Sequence, residues 1–173
     1  MRPHATHHVV ARARIATTNG RLLLVMPNRP NAPYYFPGGL VKDGEAPGDT
    51  CDREIYEALN LPLSYHDLLN TAWAPPKTPA APSSLTFLYD YGTYDTQQII
   101  SNISLNPARV ADWALMTPED ALEVLHPNQK DLMHAGLAGV RYVNQRQKPL
   151  ATHPPFEPTR HAQPTRRCLA LRR

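Results

Sequence analysis

One stretch of the chain carries acidic side chains at a spacing suited to chemistry on phosphates. Glu54 and Glu57 lie three positions apart in a segment predicted to be helical, so both carboxylates project from one helical face. Carboxylates paired in this way need a counter-charge at neutral pH. Mg²⁺ is a natural one, because it prefers oxygen ligands and binds through one or two carboxylates together with substrate phosphates. The pair therefore predicts a metal-assisted reaction on a phosphorylated substrate.

Glycine-containing turns come just before the acidic pair. Pro37, Gly38 and Gly39 form one turn, and the Lys-Asp-Gly sequence of residues 42–44 forms another. Glycine has no Cβ and leaves the backbone amides and carbonyls uncovered, so phosphates and a metal ion can approach closely. The segment thus combines paired carboxylates with an accessible backbone.

The segment from Gly39 to Leu61 resembles the Nudix box, whose pattern is G-x5-E-x7-R-E-U-x-E-E-x-G-U with U an aliphatic residue. Seven of the nine specified positions match, namely Gly39, Glu45, Arg53, Glu54, Ile55, Glu57 and Leu61. Residues 35–39 resemble the usual entry to the box, and residues 112–120 resemble a common downstream Nudix segment. The resemblance covers about residues 8–140, and a match of this kind is specific.

The resemblance implies a fold and a reaction. The fold is an α/β/α sandwich with a mixed β-sheet, in which the box forms a loop–helix–loop unit. The reaction is hydrolysis of a diphosphate in a small molecule, a nucleoside diphosphate linked to another group. The implied cofactor is Mg²⁺, with Mn²⁺ as an alternative. Nudix proteins often form homodimers, which leaves that state open for this chain.

The resemblance also implies a role for each matching residue. Glu54 matches the position that binds metal or takes a proton from the attacking water, and Glu57 matches a metal ligand. Gly39 matches the residue whose backbone carbonyl can also coordinate the metal. Arg53 and Glu45 match a structural ion pair that holds the catalytic carboxylates in place.

Two positions depart from the box. Asn60 replaces the box glycine, but asparagine can adopt the left-handed conformation that closes a helix, so the backbone can be kept. Ala58 replaces the second acid of the E-E pair and removes one anionic ligand. We therefore expect weaker metal binding or fewer metal ions. A replacement ligand could come from the loop that contains Asp95, or from Asp90 or Asp112.

The chain contains no glutamate between Glu57 and Glu119, although Nudix enzymes often have a catalytic or ligating glutamate late in the sheet. This absence and Ala58 favour a second hypothesis, a Nudix-fold module that binds a phosphorylated ligand and has weak or lost hydrolysis. A third hypothesis is a biosynthetic hydrolase of a non-nucleotide diphosphate, such as a prenyl diphosphate. The proline-rich loop over residues 74–84 would suit an unusual leaving group.

Aromatic residues supply candidate contacts for the remainder of the substrate. Tyr35, Phe36 and Tyr89 are predicted to contact it, by stacking on a base, an isoprenoid or an aromatic ring. Because burial alternates along an extended segment, at least one of the three residues 34–36 is expected to lie in the core instead.

Hydrophobic periodicity predicts the elements that position these residues. A helix is predicted over residues 49–59, beginning near Pro47 and closed by Asn60. Further helices are predicted from Thr117 to about Leu125 and over residues 128–143. Strands are predicted over residues 8–17, 21–26, 34–36, 63–73, 84–91, 97–105 and 109–115.

Composition excludes several classes of protein. The chain has 173 residues, of which 42% are hydrophobic and 19% charged, as in a soluble globular domain. The longest apolar stretch, Leu22 to Met26, is too short to span a bilayer. Two cysteines, Cys51 and Cys168, exclude a disulfide scaffold. The first residues lack the apolar stretch of a secretory signal, so we expect a cytoplasmic protein with no membrane partner.

Charge divides the chain into two regions. The formal net charge is +3, but the basic residues concentrate in the proline-rich segment 144–173, and the remainder of the chain is net negative. We predict a Nudix domain over residues 1–143 and a flexible basic tail over residues 144–173. Phe156 is the only aromatic residue in the tail, so a solvated terminus is expected there rather than a nucleic-acid surface.

Overall fold

Strands and helices alternate along the part of the chain that the structure, a computed structural model, describes, which is residues 7–78 and 80–144. The strands are β1 (His7–Thr17), β2 (Leu22–Pro27), β3 (Gly38–Leu40), β4 (Asp67–Ala74), β5 (Ser83–Tyr94), β6 (Val110–Met116) and β7 (Tyr142–Asn144). The helices are α1 (Pro47–Leu59), α2 (Thr96–Asn102), α3 (Pro118–Val124) and α4 (Pro127–Leu137).

The strands form one mixed sheet in the order β6-β2-β1-β5-β4-β7, and β3 pairs with β1 outside this path. The central pair, β1 and β5, is parallel, and so is β4 with β7. The other pairs are antiparallel. The predicted mixed sheet is therefore confirmed.

Helices cover both faces of the sheet. Side chains along a strand alternate between the two faces, so each face contributes residues to its own buried cluster. Ala11, Ala13 and Ile15 of β1 lie in one buried cluster with residues of α1 and with Ile99 of α2. Leu24 of β2 lies in a second buried cluster, with residues of α3 and α4. The two clusters lie in the two interfaces of an α/β/α sandwich, which confirms the predicted fold class.

Helix α1 ends at the predicted residue, Leu59, and begins two residues before the predicted range of 49–59. It begins at Pro47, because proline fits the first helical position, where its missing N–H is not needed. It ends at Leu59, and Asn60 has a φ of 56°, in the left-handed region. The Asn60 amide donates to the Tyr56 carbonyl. Asparagine thus keeps the helix closure that the box glycine would supply.

Strand β3 was not predicted, because its glycines indicated only a turn. Gly38 has a φ of 129°, and a Cβ there would lie 2.2 Å from the Ala11 carbonyl oxygen of β1. A side chain at this position is therefore excluded by the neighbouring backbone. Only glycine allows the chain to pair with β1 at the point where it enters the box.

The strand predicted over residues 97–105 is wrong, because that segment contains α2. The Asp95 side chain accepts hydrogen bonds from the amides of Gln97 and Gln98, which starts a helix. Ile99 is buried and Ile100 is exposed, so one face of the helix enters the core. Residues 97–105 were expected to pair with β5, which instead pairs with β1 and β4 on its two sides.

Other predicted boundaries are confirmed or corrected. The strands predicted over 8–17, 21–26, 84–91 and 109–115 are confirmed with small shifts, whereas the one predicted over 63–73 begins only at Asp67. Residues 34–36 form isolated bridges, Tyr35 with Val25 and Tyr34 with Leu125, instead of a strand.

The helix predicted over residues 128–143 is shorter than expected. Helix α4 ends at Leu137, and Gly139, with a φ of 70°, turns the chain into β7. Most of the predicted basic tail, from residue 145 onward, lies outside the described residues. Among the helices of residues 7–78 and 80–144, none is both long and apolar enough to cross a membrane.

Candidate active site

Strand β3 lies directly against helix α1. A Cβ on Gly39 would lie 2.6 Å from the carboxyl carbon of Glu54. Gly39 therefore has to be glycine for the Glu54 carboxylate to rest against this backbone. The packing brings together two of the predicted ligand residues from separate elements.

Helix α1 is held on the sheet from its buried side. Cys51 and Ile55 are fully buried in the core, and the Tyr91 hydroxyl of β5 donates to the Asp52 carboxylate. Burial raises the pKa of the Cys51 thiol to about 12. Cys51 is therefore a neutral packing residue on the buried side of α1.

Arg53 and Glu45 form a two-point ion pair. Arg53 Nε and Nη2 donate to Glu45 Oε1 and Oε2 over 2.7 and 2.9 Å. The hydrogen bonds from Arg53 lower the pKa of Glu45 from 4.5 to about 2. Such a planar pair fixes the guanidinium in one orientation. The loop before α1 is thereby tied to the middle of the helix.

The same guanidinium continues to the acidic pair. Arg53 Nη1 donates to Glu54 Oε1 over 2.6 Å and lies 3.4 Å from Glu57 Oε2. Glu45 thus orients Arg53, and Arg53 in turn orients both carboxylates. These are the contacts that Arg53 would need in order to position the two carboxylates.

A second arginine, which sequence analysis did not identify, bridges the two glutamates. Arg109 Nη1 lies 3.0 Å from Glu54 Oε2, and Arg109 Nη2 forms an ion pair with Glu57 Oε2. No local motif marks Arg109, which precedes β6 by one residue and is remote from the box in sequence. The only signal available was the expectation that the acidic pair needs a counter-charge.

Contacts to the end of α1 place Arg109 over the glutamates. The Asn106 amide donates to the Ala58 carbonyl over 2.9 Å, and Asn106 Nδ2 donates to the Glu57 carbonyl over 3.1 Å. The Arg109 amide then donates to the Asn106 carbonyl over 3.0 Å. The segment between α2 and β6 is therefore fastened to the helix that carries the acids.

The arrangement fits a divalent cation. The Arg109 guanidinium reaches oxygens of both Glu54 and Glu57, so the space between the two carboxylates can be spanned by one cation. The Gly39 backbone lies beside Glu54. Two carboxylates and a backbone carbonyl suit Mg²⁺, which keeps several waters. Within residues 7–78 and 80–144, no group of three or more His, Cys, Asp or Glu side chains could hold a metal. The donor set is therefore small.

The candidate replacements for the missing acid all have other partners. Ala58 itself packs against the core cluster that contains α1. Asp95 caps α2, Asp90 forms an ion pair with Arg14 over 2.7 Å, and Asp112 accepts from the Tyr34 hydroxyl over 2.6 Å. Each of the three aspartates thus already has a hydrogen-bonding or ion-pair partner.

Positive side chains gather around Tyr35, close to the entry of the box. The guanidinium carbons of Arg12 and Arg29 lie 5.1 and 5.7 Å from the Tyr35 ring centroid, and the ring stacks on His126 at 5.2 Å. Burial, and then the charges of Lys77, Arg29 and Arg12, lower the pKa of His126. We call Arg12, Arg29 and Lys77 the basic cluster.

The basic cluster has no acidic partner in the described part of the chain: none of its three members forms an ion pair there. It adjoins the acidic pair, because Arg12 Nη1 donates to the Gly38 carbonyl over 2.9 Å, next to Gly39. Arg12 Nε is buried without a hydrogen-bond partner. The region has surplus positive charge beside the candidate metal ligands.

The three aromatic candidates lie in different surroundings. Tyr35 is half-buried among the cations just described, and its hydroxyl accepts from Arg29 Nη2 over 2.7 Å. Phe36 is 0% exposed and lies in the core on the α3–α4 side, so it has no face open to a substrate. Tyr89 is 9% exposed on the α1 side and packs on Tyr65 at 4.8 Å.

Comparison with protein families agrees with this geometry. The family model for the NUDIX domain matches residues 6–136, most of the chain. The chain therefore belongs to the Nudix superfamily, as the box indicated. No curated protein matches the chain by sequence.

Solved structures share the fold. The MutT protein from Methanosarcina mazei Go1 superposes with a TM-score of 0.66 at 15% identity, over 79% of this chain and 97% of that one. The NUDIX domain of Shewanella oneidensis NrtR complexed with ADP ribose gives 0.62 at 20% identity, over 78% and 89%. A C. elegans Ap4A hydrolase gives 0.58 at 22% identity, over 76% and 98%. At these identities the similarity establishes the fold alone.

Proposed function

We propose that this chain is a Mg²⁺-dependent hydrolase of a diphosphate linkage in a small molecule, a nucleoside diphosphate joined to another group. One observation carries the proposal: Glu54 and Glu57 are held side by side by Arg53, and Arg53 is itself oriented by Glu45. An ion-pair network of this kind fixes two carboxylates where a cation and a water must be positioned.

The roles follow from the positions of the side chains. Glu54 and Glu57 would hold the metal together with the Gly39 backbone, and Arg53 keeps them in place. When bound, Mg²⁺ supplies positive charge that neutralises the diphosphate oxygens and activates water. Glu54 accepts the proton of the attacking water and passes it to solvent.

The reaction balances without a further reactant. The water oxygen forms a bond to one phosphorus, and the bridging P–O bond breaks. The electron pair of that bond leaves with the second phosphate, so the products are two phosphate monoesters. The basic cluster supports a substrate with more than one anionic group, because its unpaired charges lie beside the box.

The nucleotide class is supported by two of the neighbours in fold, one named as an Ap4A hydrolase and one as a NUDIX domain complexed with ADP ribose. Tyr35 and Tyr89 stay candidates for contact with the base or its replacement. Asp95 stays a candidate for an additional ligand if the α2 cap opens. Cytoplasm is the proposed compartment, because two cysteines are too few for a disulfide scaffold.

A substrate panel tests the proposal. ADP-ribose, Ap4A, nucleotide sugars, nucleoside triphosphates and prenyl diphosphates are incubated with the protein in Mg²⁺ or in EDTA, and phosphate monoesters are measured. We expect cleavage of at least one nucleotide in Mg²⁺ only. Cleavage of prenyl diphosphates alone would support the non-nucleotide hypothesis instead, and no cleavage of any compound would contradict hydrolysis.

Paired variants locate the activity at the box. Glu54→Gln should reduce the rate at least about a hundredfold, because it removes a proton acceptor and a metal ligand. Glu123→Gln, on the exposed surface of α3, changes the same functional group outside the site and should leave the rate unchanged. Equal rates in the two variants would show that the acidic pair is not the reaction centre.

A second candidate function is ligand binding without hydrolysis, and Ala58 is the observation that favours it. Thermal stabilisation by ADP-ribose with no product would support this candidate. Ala58→Glu separates a weakened enzyme from a binding module, with Ala58→Gln as the control of equal size. A rate that rises about tenfold only in the glutamate variant indicates a weakened enzyme. No gain indicates that other parts of the site have been lost.

A further inference from the structure

We infer that the Arg109 guanidinium is a built-in counter-cation of the acidic pair, and that a divalent cation has to displace it in order to bind. The inference rests on the proposed function for its site and concerns the affinity of that site for metal. Arg109 spans Glu54 Oε2 and Glu57 Oε2, which are oxygens that a metal between the two carboxylates would use. A guanidinium and a metal ion cannot occupy that position together.

Arg109 is better suited to leave than Arg53. Arg53 is 20% exposed and is fixed by its two-point contact with Glu45. Arg109 is 38% exposed, and in the described residues its guanidinium pairs only with the two glutamates. Its backbone is anchored through Asn106, so the side chain can rotate into solvent while the loop stays in place.

The charge of the site favours exchange of one cation for the other. Three carboxylates, those of Glu45, Glu54 and Glu57, face the two guanidiniums of Arg53 and Arg109, which leaves one net negative charge. A divalent ion added to this set would make it net positive. The same ion would make the set neutral if Arg109 withdrew. Removal of an acid at Ala58 is what brings the resting site so close to neutrality.

Arg109 comes from the part of the chain between Glu57 and Glu119. No glutamate occurs between Glu57 and Glu119, and the side chain that this part of the chain brings to the acidic pair is a cation. A carboxylate there would add a metal ligand, whereas a guanidinium competes with the metal. The chain should therefore bind free metal weakly and bind it better when substrate phosphates supply additional oxygens.

Binding of Mn²⁺, measured by titration calorimetry and by the loss of the free-ion electron paramagnetic resonance signal, tests the inference without any substrate. Arg109→Gln should bind Mn²⁺ about three- to tenfold more tightly than the unsubstituted protein, because two partly exposed ion pairs are removed. Arg109→Lys retains the positive charge but cannot contact both glutamates as the guanidinium does. Its affinity for Mn²⁺ should therefore lie between those of the unsubstituted protein and Arg109→Gln. Arg21→Gln, which removes an exposed arginine bonded to the Leu115 carbonyl, is the matched control and should change nothing.

The outcomes separate this inference from the proposed function. Unchanged or weaker Mn²⁺ binding by Arg109→Gln, in a variant whose circular dichroism and melting curve show a folded chain, overturns the inference even if the protein cleaves nucleotides. Tighter binding in a protein that cleaves nothing on the panel supports the inference and contradicts the proposed hydrolysis. If Arg109→Gln does not fold, absence of any affinity change in Arg109→Lys overturns the inference.

Discussion

At the scale of single residues, the site is a network in which each acid has an arginine partner. Glu45 holds Arg53, Arg53 reaches both Glu54 and Glu57, and Arg109 joins the same two glutamates from another element. A lone Glu54–Glu57 pair would be repulsive at neutral pH. The network makes the pair stable in the absence of metal, and it predicts that stability depends on ionised carboxylates.

The Glu45–Arg53 pair predicts a specific dependence of stability on pH. The pKa of Glu45 is about 2 in the folded chain and 4.5 ordinarily, because Arg53 favours the ionised form. Ionised Glu45 therefore stabilises the fold above its ordinary pKa, and that contribution disappears as the pH falls toward 2. The difference in unfolding free energy between the unsubstituted protein and Glu45→Gln should shrink as the pH falls through this range.

Urea unfolding at a series of pH values measures that difference. Glu123→Gln serves as the matched control, since Glu123 lies on the exposed side of α3. Its difference from the unsubstituted protein should be small and nearly constant with pH. A constant difference for Glu45→Gln as well would show that the ion pair contributes nothing to the acid sensitivity of the fold.

At the scale of elements, the site depends on how closely β3 approaches β1 and α1. Gly38 lies against the Ala11 carbonyl and Gly39 against the Glu54 carboxylate, so two successive glycines allow three elements to meet. Gly38 in particular is required, because backbone atoms of β1 occupy the space that a Cβ would need. This requirement is steric, and it can be tested by adding a single methyl group.

Gly38→Ala and Gly44→Ala form a matched pair of substitutions. Both positions have positive φ, 129° and 75°, but a Cβ at Gly44 meets nothing within 4 Å. Gly44→Ala should cost about 1–2 kcal/mol of unfolding free energy, from backbone strain alone. Gly38→Ala should cost about 3–5 kcal/mol, because overpacking against the Ala11 carbonyl is added to the strain. Chemical denaturation measures both, and equal costs would contradict the close approach of β3 to β1.

The elements also show how far the sequence alone predicts the structure. Helix α1 was predictable because its proline start, its charge spacing and its Asn60 closure are all local signals. Strand β3 was not, since two glycines indicate a turn unless the neighbouring strand is known. Helix α2 differs from the strand expected over residues 97–105, because its start depends on the side chain of Asp95, which the sequence indicated only as a candidate ligand.

The candidate site likewise contains residues that a local sequence pattern predicts and residues that it does not. Glu45, Arg53, Glu54 and Glu57 are a single local pattern, and the structure brings them together. Arg109 and the basic cluster come from segments that only the sheet topology brings near the box. A pattern within one segment predicts contacts of one helix with its own loop. Such a pattern does not predict contacts with charged residues from segments that are distant in sequence.

At the scale of the whole molecule, we expect a fold that does not depend on metal. Two buried clusters on either side of the sheet hold the layers together, and the acidic pair is already neutralised in part by arginines. EDTA alone should therefore shift the melting temperature by less than about 2 °C, a change that corresponds to a fraction of a kcal/mol in a domain of this size. A larger decrease would mean that a metal is part of the folded structure.

Ligand and metal together should behave differently. A ligand at a hundred times its dissociation constant stabilises the native state by about 2.7 kcal/mol, which raises the melting temperature by several degrees. We expect ADP-ribose with Mg²⁺ to produce this shift, and ADP-ribose in EDTA to produce a smaller one through the basic cluster. Differential scanning fluorimetry, with ribose 5-phosphate as the weak-binding control, measures it. Equal shifts with and without Mg²⁺ would contradict joint binding of metal and diphosphate.

The central claim is that Glu54 and Glu57 hold a divalent cation against a diphosphate. Crystals soaked with Mn²⁺ and ADP-ribose, with diffraction recorded at a wavelength where manganese scatters anomalously, test it most directly. We expect an anomalous peak within about 2.3 Å of carboxylate oxygens of both residues, with the Arg109 guanidinium displaced from them. No peak there, with ADP-ribose bound and Arg109 still paired to both glutamates, would contradict it.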